Sequence, residues 1–203
     1  MQVTLINAGK KYNNKWVFKG LSTSIEKGYR HAITGKNGSG KSTLIMMIAG
    51  YISPSKGSLQ WSIEEHTLHV NDVYKHVSMA SPYLELIEEL TLEEMIRFHS
   101  KFKPCLQQLT VNDVINLSLL EASREKPVNQ FSSGMKQRLK LILSIVSQSK
   151  IVLLDEPCSN LDADGILWYQ QLLDRFCNNR TVVIASNHKA EEYPGCSRFI
   201  RLE

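Results

Sequence analysis

Short apolar runs alternate along the chain with longer stretches in which apolar residues recur at helical spacing. Ile151–Leu154 is continuously apolar and Thr181–Ser186 nearly so, which is typical of parallel strands buried on both faces. After Gly134 the pattern changes, and Leu139, Ile142 and Val146 fall on one face of a helix. This alternation of strand and helix predicts an α/β protein with a mainly parallel central sheet.

The same reading predicts the other elements. Strands are expected at Val3–Asn7, Trp16–Phe18, Leu21–Ile25, Tyr29–Thr34, Ser58–Ile63, Thr67–Val70, His76–Ala80 and Arg198–Leu202. Helices are expected at Thr43–Ala49, at Thr110–Glu121 and after the capping residues Thr91 and Asp162. The first strands, joined through a polar turn at Gly9–Lys15, are expected to form an antiparallel β subdomain.

A helical, acidic region separates the two parts of the predicted sheet. Pro82 opens it, and a polar, proline-containing linker at Ser123–Gln130 closes it. We therefore expect a single domain over residues 1–203, with residues 1–81 and 131–203 as a nucleotide-binding core and residues 82–130 as an inserted helical lobe. The apolar residues at the start of the lobe are either exposed anchors for a partner or lobe core; they are Tyr83, Leu84, Leu86 and Ile87.

The segment Gly35–Ser42 has the spacing of a phosphate-binding loop, a glycine, four residues and then Gly-Lys-Ser, between a predicted strand and a predicted helix. Its glycines allow backbone N–H groups to converge on an anion, and the following helix points its positive end at the same place. Lys41 can reach the β- and γ-phosphates, and the Ser42 hydroxyl can bind Mg²⁺. This strand–loop–helix context predicts a nucleoside triphosphate site.

Two carboxylates, Asp155 and Glu156, end the buried strand that begins at Ile151. Because an unpaired buried charge is costly, a cation is the expected partner of Asp155. In phosphate-loop enzymes an Asp at this place helps to hold Mg²⁺, and Glu156 could position or deprotonate a water molecule.

Composition narrows the range of possible functions. The 203 residues carry 24 basic and 20 acidic side chains, a net charge of +4 without a run of Lys or Arg, which disfavours a nucleic-acid partner. The four cysteines show no metal-ligand spacing and are typical of reduced thiols in a cytoplasmic protein. Since neither a signal peptide nor an apolar run of about 20 residues is present, any role at a membrane is expected to depend on a partner.

The chain resembles the ATP-binding cassette (ABC) ATPase domains. Four segments occur in the order and at the spacings of that family: Gly35–Ser42, Phe131–Arg138, Ile151–Pro157 and Ser159–Asp162. The resemblance implies a phosphate-loop fold that binds ATP and Mg²⁺ and hydrolyses ATP.

The resemblance also implies a role for single residues. Phosphate and Mg²⁺ contacts fall on Gly35, Asn37, Gly38, Ser39, Gly40, Lys41, Ser42 and Thr43, the metal-associated carboxylate on Asp155, and the general base on Glu156. Tyr12, otherwise an ordinary exposed loop tyrosine, falls where the family stacks an aromatic ring on adenine. Ser132 and Gly134 fall in the signature segment, which touches ATP held by a second copy, and Asp162 falls in the loop that crosses to that copy.

The chain departs from the family pattern at three places. The signature reads Phe131-Ser132-Ser133-Gly134-Met135, without its first glycine and its glutamine. Ser81-Pro82 replaces the glutamine that normally begins the helical lobe, and this leaves the route of coupling open. The switch histidine corresponds either to Asn187 or to His188, of which only His188 can also carry a charge.

The function expected from these features is that of an ATP-hydrolysing subunit of an ABC transporter. It would act as a dimer with composite ATP sites, most economically a homodimer, docked on a separately encoded transmembrane permease at the cytoplasmic face of the membrane. Two alternatives stay open, a soluble ABC ATPase outside transport and a weakly active cassette that serves as an ATP-dependent switch.

Overall fold

The computed structural model describes residues 1–187 and 189–203, except for the side chain of Gln107. A five-stranded parallel sheet forms the centre of the described part and consists of β3 (Arg30–Thr34), β6 (Val77–Ala80), β7 (Ile151–Asp155), β8 (Thr181–Ser186) and β9 (Arg198–Arg201). Its strand order is β6-β7-β8-β3-β9. The predicted α/β class with a mainly parallel central sheet is confirmed.

A second, antiparallel sheet consists of β1 (Gln2–Tyr12), β2 (Lys15–Ile25), β4 (Lys56–Ile63) and β5 (His66–Leu68). Its strand order is β2-β1-β4-β5. Six α-helices complete the described part of the chain: α1 (Lys41–Ile48), α2 (Val70–His76), α3 (Leu92–Phe102), α4 (Val111–Ser118), α5 (Ser133–Val146) and α6 (Ala163–Phe176).

Both faces of the central sheet are covered by apolar side chains, which explains its apolar strands. Val152 and Leu154 of β7 point into a core shared with α3, α4, α5 and α6. The alternate residues Ile151 and Leu153 point into a second core, shared with α1 and the antiparallel sheet. The central strands are thus fixed from both sides, and their carboxyl ends are held at one edge.

The helical region behaves as its capping signals predict. Thr91 and Glu94 form a capping box at the start of α3, and Thr110 and Asp113 form another at the start of α4. Both helices lie within residues 82–130, where the structure assigns no extended strand. An inserted helical lobe is therefore present, whereas the bounds of the division into core and lobe stay a prediction.

Three local predictions are wrong. The turn expected at Gly9–Lys15 is confined to Asn13 and Asn14, whose positive φ angles of 47° and 62° suit a tight hairpin, so β1 continues through Tyr12. The strand expected at Thr67–Val70 ends at Leu68, because the side chain of His69 caps the short helix α2 that follows. The helix expected at Thr110–Glu121 stops at Ser118, since Leu119 adopts a left-handed conformation.

No helix in residues 1–187 and 189–203 combines the length and apolar character that a bilayer-spanning helix needs. The four cysteines predicted to be thiols are free, two of them buried in the core.

A pH-dependent stability follows from His31, which is buried in β3 and whose Nε2 accepts a hydrogen bond from the Glu26 N–H at 3.1 Å. Burial lowers the pKa of His31 below its usual 6.5. The unfolded chain therefore binds a proton at this residue more readily than the folded chain does. The contribution of His31 to the free energy of unfolding is complete above pH 6.5 and is lost as the pH falls through the lowered pKa of the folded state.

We therefore expect His31→Gln to lose less stability than the parent protein when the pH falls from about 7.5 to about 5.5. Urea unfolding at a series of pH values measures this difference, and His66→Gln, at an exposed histidine, is the control. Parallel stability profiles for the parent and His31→Gln would contradict the assignment.

Candidate functional site

The carboxyl ends of four parallel strands bring the candidate residues together. β3 leads into Gly35, β6 into Ser81 and β8 into Asn187, while β7 ends on Asp155 itself. Ligands of open α/β sheets bind at this edge, because the strand ends there leave backbone and side-chain groups facing a crevice. Residues far apart in the sequence thus meet at one place.

The phosphate-binding loop is built by its glycines. Gly38 and Gly40 have φ angles of 82° and 96°, a left-handed conformation in which a residue with a Cβ is strained. Gly40 caps the start of α1, so the free N–H groups of that helix lie at the loop. A Cβ at Gly35 would clash with the carbonyl oxygen of Leu202, the residue that follows β9, so the close packing of the loop there requires glycine.

Lys41 is the buried cation of this loop. Its Nζ donates hydrogen bonds to the carbonyl oxygens of Gly35, at 2.9 Å, and Lys36, at 3.0 Å. The side chain is 5% exposed and folds back over the loop. Its charge is therefore placed where an anion held by the loop would lie, and the carbonyl bonds can be exchanged for phosphate oxygens.

Asp155 presents a buried carboxylate at the same edge. It is 2% exposed, and burial raises its pKa, while the nearby hydroxyls of Ser42 and Ser81 and the charge of Lys41 act in the opposite direction. Within the described residues its Oδ1 atom has no hydrogen-bond partner. A carboxylate with an unused buried oxygen beside a serine hydroxyl fits an oxygen-preferring divalent cation.

The described residues contain no cluster of three or more His, Cys, Asp or Glu side chains that would hold a metal alone. Mg²⁺ is a cation that proteins often bind through one or two carboxylates together with the phosphates of a substrate. Asp155 and Ser42 are the residues that would hold it.

Glu156 is held in a defined orientation. It has a positive φ of 46°, its Oε1 accepts a hydrogen bond from Asn187 Nδ2 at 2.7 Å, and its Oε2 accepts one from Ser159 Oγ at 3.4 Å. Of the two candidates for the switch position, Asn187 thus contacts the candidate base. His188 lies outside the described residues.

A cleft of about 510 Å³ opens beside these groups. Tyr12, Val17 and Tyr83 line it together with Glu156 and the loop residues Asn37, Gly38, Gly40, Lys41, Ser42 and Thr43. Tyr12 is half exposed, and the ammonium group of Lys10 lies 5.2 Å from the centre of its ring. Because it lies on β1 rather than in a turn, its position is fixed by the sheet.

The sequence suggested Tyr83 as an anchor for a partner or as part of the lobe core, but the structure places it at the cleft. Its side chain is 78% exposed and lines the cleft beside Glu156, while Leu86 packs against the helical core. The contact of Ser81 was not predicted either: its hydroxyl donates to Asp155 Oδ2 at 3.3 Å. The signal for Ser81 was its position directly after β6, whereas Tyr83 lies further along the chain.

The signature residues lie apart from this cleft. Ser132 is exposed and caps α5, where its hydroxyl accepts the Met135 N–H at 3.2 Å. Gly134 packs so closely that a Cβ would lie 2.9 Å from the carbonyl oxygen of Asn160. In the described part of the chain, neither Ser132 nor Gly134 lines the cleft. The start of α5 therefore presents its donors elsewhere on the surface.

Both the sequence and the fold are similar to those of known proteins. Residues 18–159 match the profile of the family described as ABC transporter. The chain is 30% identical over 199 residues to the lantibiotic transport ATP-binding protein SrtF of Streptococcus pyogenes, covering 96% of this chain and 83% of that protein. It is 27% identical over 202 residues to the Nod factor export ATP-binding protein I of Burkholderia orbicola, covering 97% of this chain and 66% of the relative.

Among solved structures, the fold is similar to that of a dimeric ATP-binding cassette in a post-hydrolysis state, bound to ADP and Pi. The TM-score is 0.83 at 22% identity, over 99% of this chain and 94% of the other. At 22% identity, this similarity shows the fold alone.

The two glycines of the loop are expected to differ in what a methyl group costs. Gly38→Ala meets no atom within 4 Å and only strains the backbone, which we expect to cost about 1–2 kcal/mol. Gly35→Ala forces a Cβ against the carbonyl oxygen of Leu202, and we expect a larger loss, about 3 kcal/mol. Urea unfolding followed by tryptophan fluorescence measures both, and a Gly38→Ala loss equal to that of Gly35→Ala would contradict the described loop.

Proposed function

The chain belongs to the ABC transporter family of ATP-binding cassettes, and from that premise we propose that it is the ATP-hydrolysing subunit of a transporter. It works as a dimer whose ATP sites are shared between two cassettes. The energy drives substrate movement through a separate transmembrane subunit, at the cytoplasmic face of the membrane.

One observation carries the proposal: the two halves of an ATP site lie at different places on one chain. The phosphate loop and Glu156 line one cleft and Asp155 lies at the same edge of the sheet, whereas Ser132 at the start of α5 does not line that cleft in the part of the chain described. An exposed helix start is suited to an anion, and the Ser132 hydroxyl, which accepts the Met135 N–H, still has its own O–H to donate. A second copy, turned by a two-fold rotation, can bring its α5 to this cleft, and each ATP then joins two protomers.

In each cleft the loop residues Gly35, Asn37, Gly38, Ser39, Gly40 and Thr43 cradle the phosphates with their backbone and hydroxyl groups. Lys41 exchanges its carbonyl partners for the β- and γ-phosphates, and Tyr12 offers its ring to the adenine. Ser42 and Asp155 would hold Mg²⁺, and the ion would supply positive charge beside the phosphates. The signature residues Ser132 and Gly134 of the partner close the site over the γ-phosphate.

Glu156 acts as the general base toward the attacking water. Its carboxylate is oriented by Asn187, whose amide donates at 2.7 Å, so one carboxylate oxygen is held while the side chain faces the cleft. His188 stands next in the chain and remains the second candidate for the γ-phosphate contact. Both can act together, with Asn187 on the base and His188 on the phosphate.

The transmembrane subunit requires a docking surface outside the ATP cleft. A groove of about 270 Å³ lies where the helical region meets the sheet, lined by Tyr51, Tyr74, Leu84, Leu86 and Met95 among others. Tyr51 and Tyr74 are 60% and 57% exposed and give the groove two surface aromatic rings. We assign this groove to a segment of the transmembrane subunit, as the names of the lantibiotic and Nod factor relatives suggest for proteins of transport and export.

Removal of the base is expected to trap the dimer. Glu156→Gln should bind Mg-ATP, lower hydrolysis by about a hundredfold or more, and elute as a dimer in size-exclusion chromatography with light scattering. Lys41→Ala should remain monomeric, because ATP can no longer join the protomers. Glu65→Gln, at an exposed hairpin position, is the matched control and should behave as the parent. A monomeric Glu156→Gln at saturating Mg-ATP would argue against shared sites.

A charge in the groove is expected to separate docking from ATP chemistry. Leu84→Glu should lose co-purification with the co-expressed transmembrane subunit and keep ATP-dependent dimerisation. Leu119→Glu introduces the same charge at a leucine that is 65% exposed and lies outside the groove, and it should keep both properties. Equal co-purification of the two variants would remove the groove from the proposal.

A further inference from the structure

Ser81 and Pro82 lead from β6 into the helical region. Ser81 is 3% exposed, although its side chain is polar, and it follows β6, the strand next to β7. A buried hydroxyl at the catalytic edge of the sheet needs a hydrogen-bond partner.

Both hydrogen-bonding functions of that hydroxyl are used. Ser81 Oγ donates to Asp155 Oδ2 at 3.3 Å and accepts the backbone N–H of Tyr83 at 3.3 Å. The first distance is longer than the usual value of about 2.8 Å for two oxygens, as is common at catalytic sites before the substrate binds. The hydroxyl therefore has one orientation, and it faces the carboxylate.

The segment is also held from the other side. Lys140 Nζ, on α5, donates to the carbonyl oxygens of Ser81 at 3.3 Å and Pro82 at 3.2 Å. The same helix presents Ser132 at its start. Ser81 is thus fixed between the signature helix and the carboxylate, and it does not depend on the nucleotide for its position.

From these contacts we propose that Ser81 is a positioning residue for the metal-binding carboxylate of Asp155. By occupying Oδ2, it fixes the carboxylate so that Oδ1, which lacks a partner among the described residues, is available to a divalent cation. Partners of this kind, one bond away from a metal, commonly govern metal affinity. The inference rests on the proposed ATP and metal site.

Ser81→Ala removes only the hydroxyl, Ser81→Thr retains it, and Ser78→Ala is the matched control. Ser78 lies on β6, the strand that Ser81 follows, and is also buried, but its hydroxyl bonds Ser149 at 2.7 Å and not Asp155. The probe is Mn²⁺, whose binding to the protein with a non-hydrolysable ATP analogue is followed by electron paramagnetic resonance. A fluorescent ATP analogue in EDTA reports nucleotide binding without metal.

We expect Ser81→Ala to bind Mn²⁺ about tenfold more weakly, with unchanged metal-free nucleotide binding, while Ser81→Thr and Ser78→Ala bind Mn²⁺ like the parent. Equal Mn²⁺ affinity of Ser81→Ala and the parent would overturn the inference and leave the proposed function intact. Equal weakening in Ser81→Ala and Ser78→Ala would also overturn it, since the effect would then be structural. A parent protein that binds neither the analogue nor Mn²⁺ would instead refute the proposed function, and this inference with it.

Discussion

The buried carboxylate of Asp155 is the constraint on which the site depends. A charge in the protein interior is costly unless an opposite charge or several hydrogen bonds stabilise it. Here burial outweighs the hydroxyls of Ser42 and Ser81 and the charge of Lys41, and the pKa of Asp155 is raised. The folded chain thus keeps a carboxylate whose stabilisation is incomplete, and a divalent cation brought with a nucleotide would complete it. The apolar faces of the central sheet keep this group in place.

The same sheet explains why one chain forms only part of the proposed site. Parallel strands gather the phosphate loop, Asp155, Glu156 and Asn187 at a single edge, but α5 starts elsewhere on the surface. Under the proposed function, these first residues of α5 would serve a neighbouring molecule rather than their own cleft. Gln137 nevertheless bonds the carbonyl oxygen of Pro157 at 2.8 Å and Lys140 reaches Ser81, so the signature helix is linked to the cleft through the interior of each chain.

Elements with a strong local signal were predictable from the sequence. The strand Thr181–Ser186 has the expected bounds because its continuous apolar character leaves no alternative, and the capping box at Thr91 marks the start of its helix. The short helix α2 was not predictable, because Val73 is its only buried residue and it therefore lacks an apolar stripe. The contacts of Ser81 and Asn187 were equally hidden, since they join strands far apart in the sequence and depend on the order of strands in the sheet.

The sharing of each ATP site between two chains is tested most directly by mixing two inactive variants. Lys41→Ala disables the phosphate loop, and Ser132→Arg disables the signature end of α5. In a mixed dimer one site carries both defects and the other carries none. If the site is shared, the equimolar mixture should recover ATPase activity up to about half of the parent rate, because Lys41→Ala does not dimerise by itself and each mixed dimer has one intact site of two. A mixture as inactive as each variant alone, beside an active parent protein, would contradict the shared site.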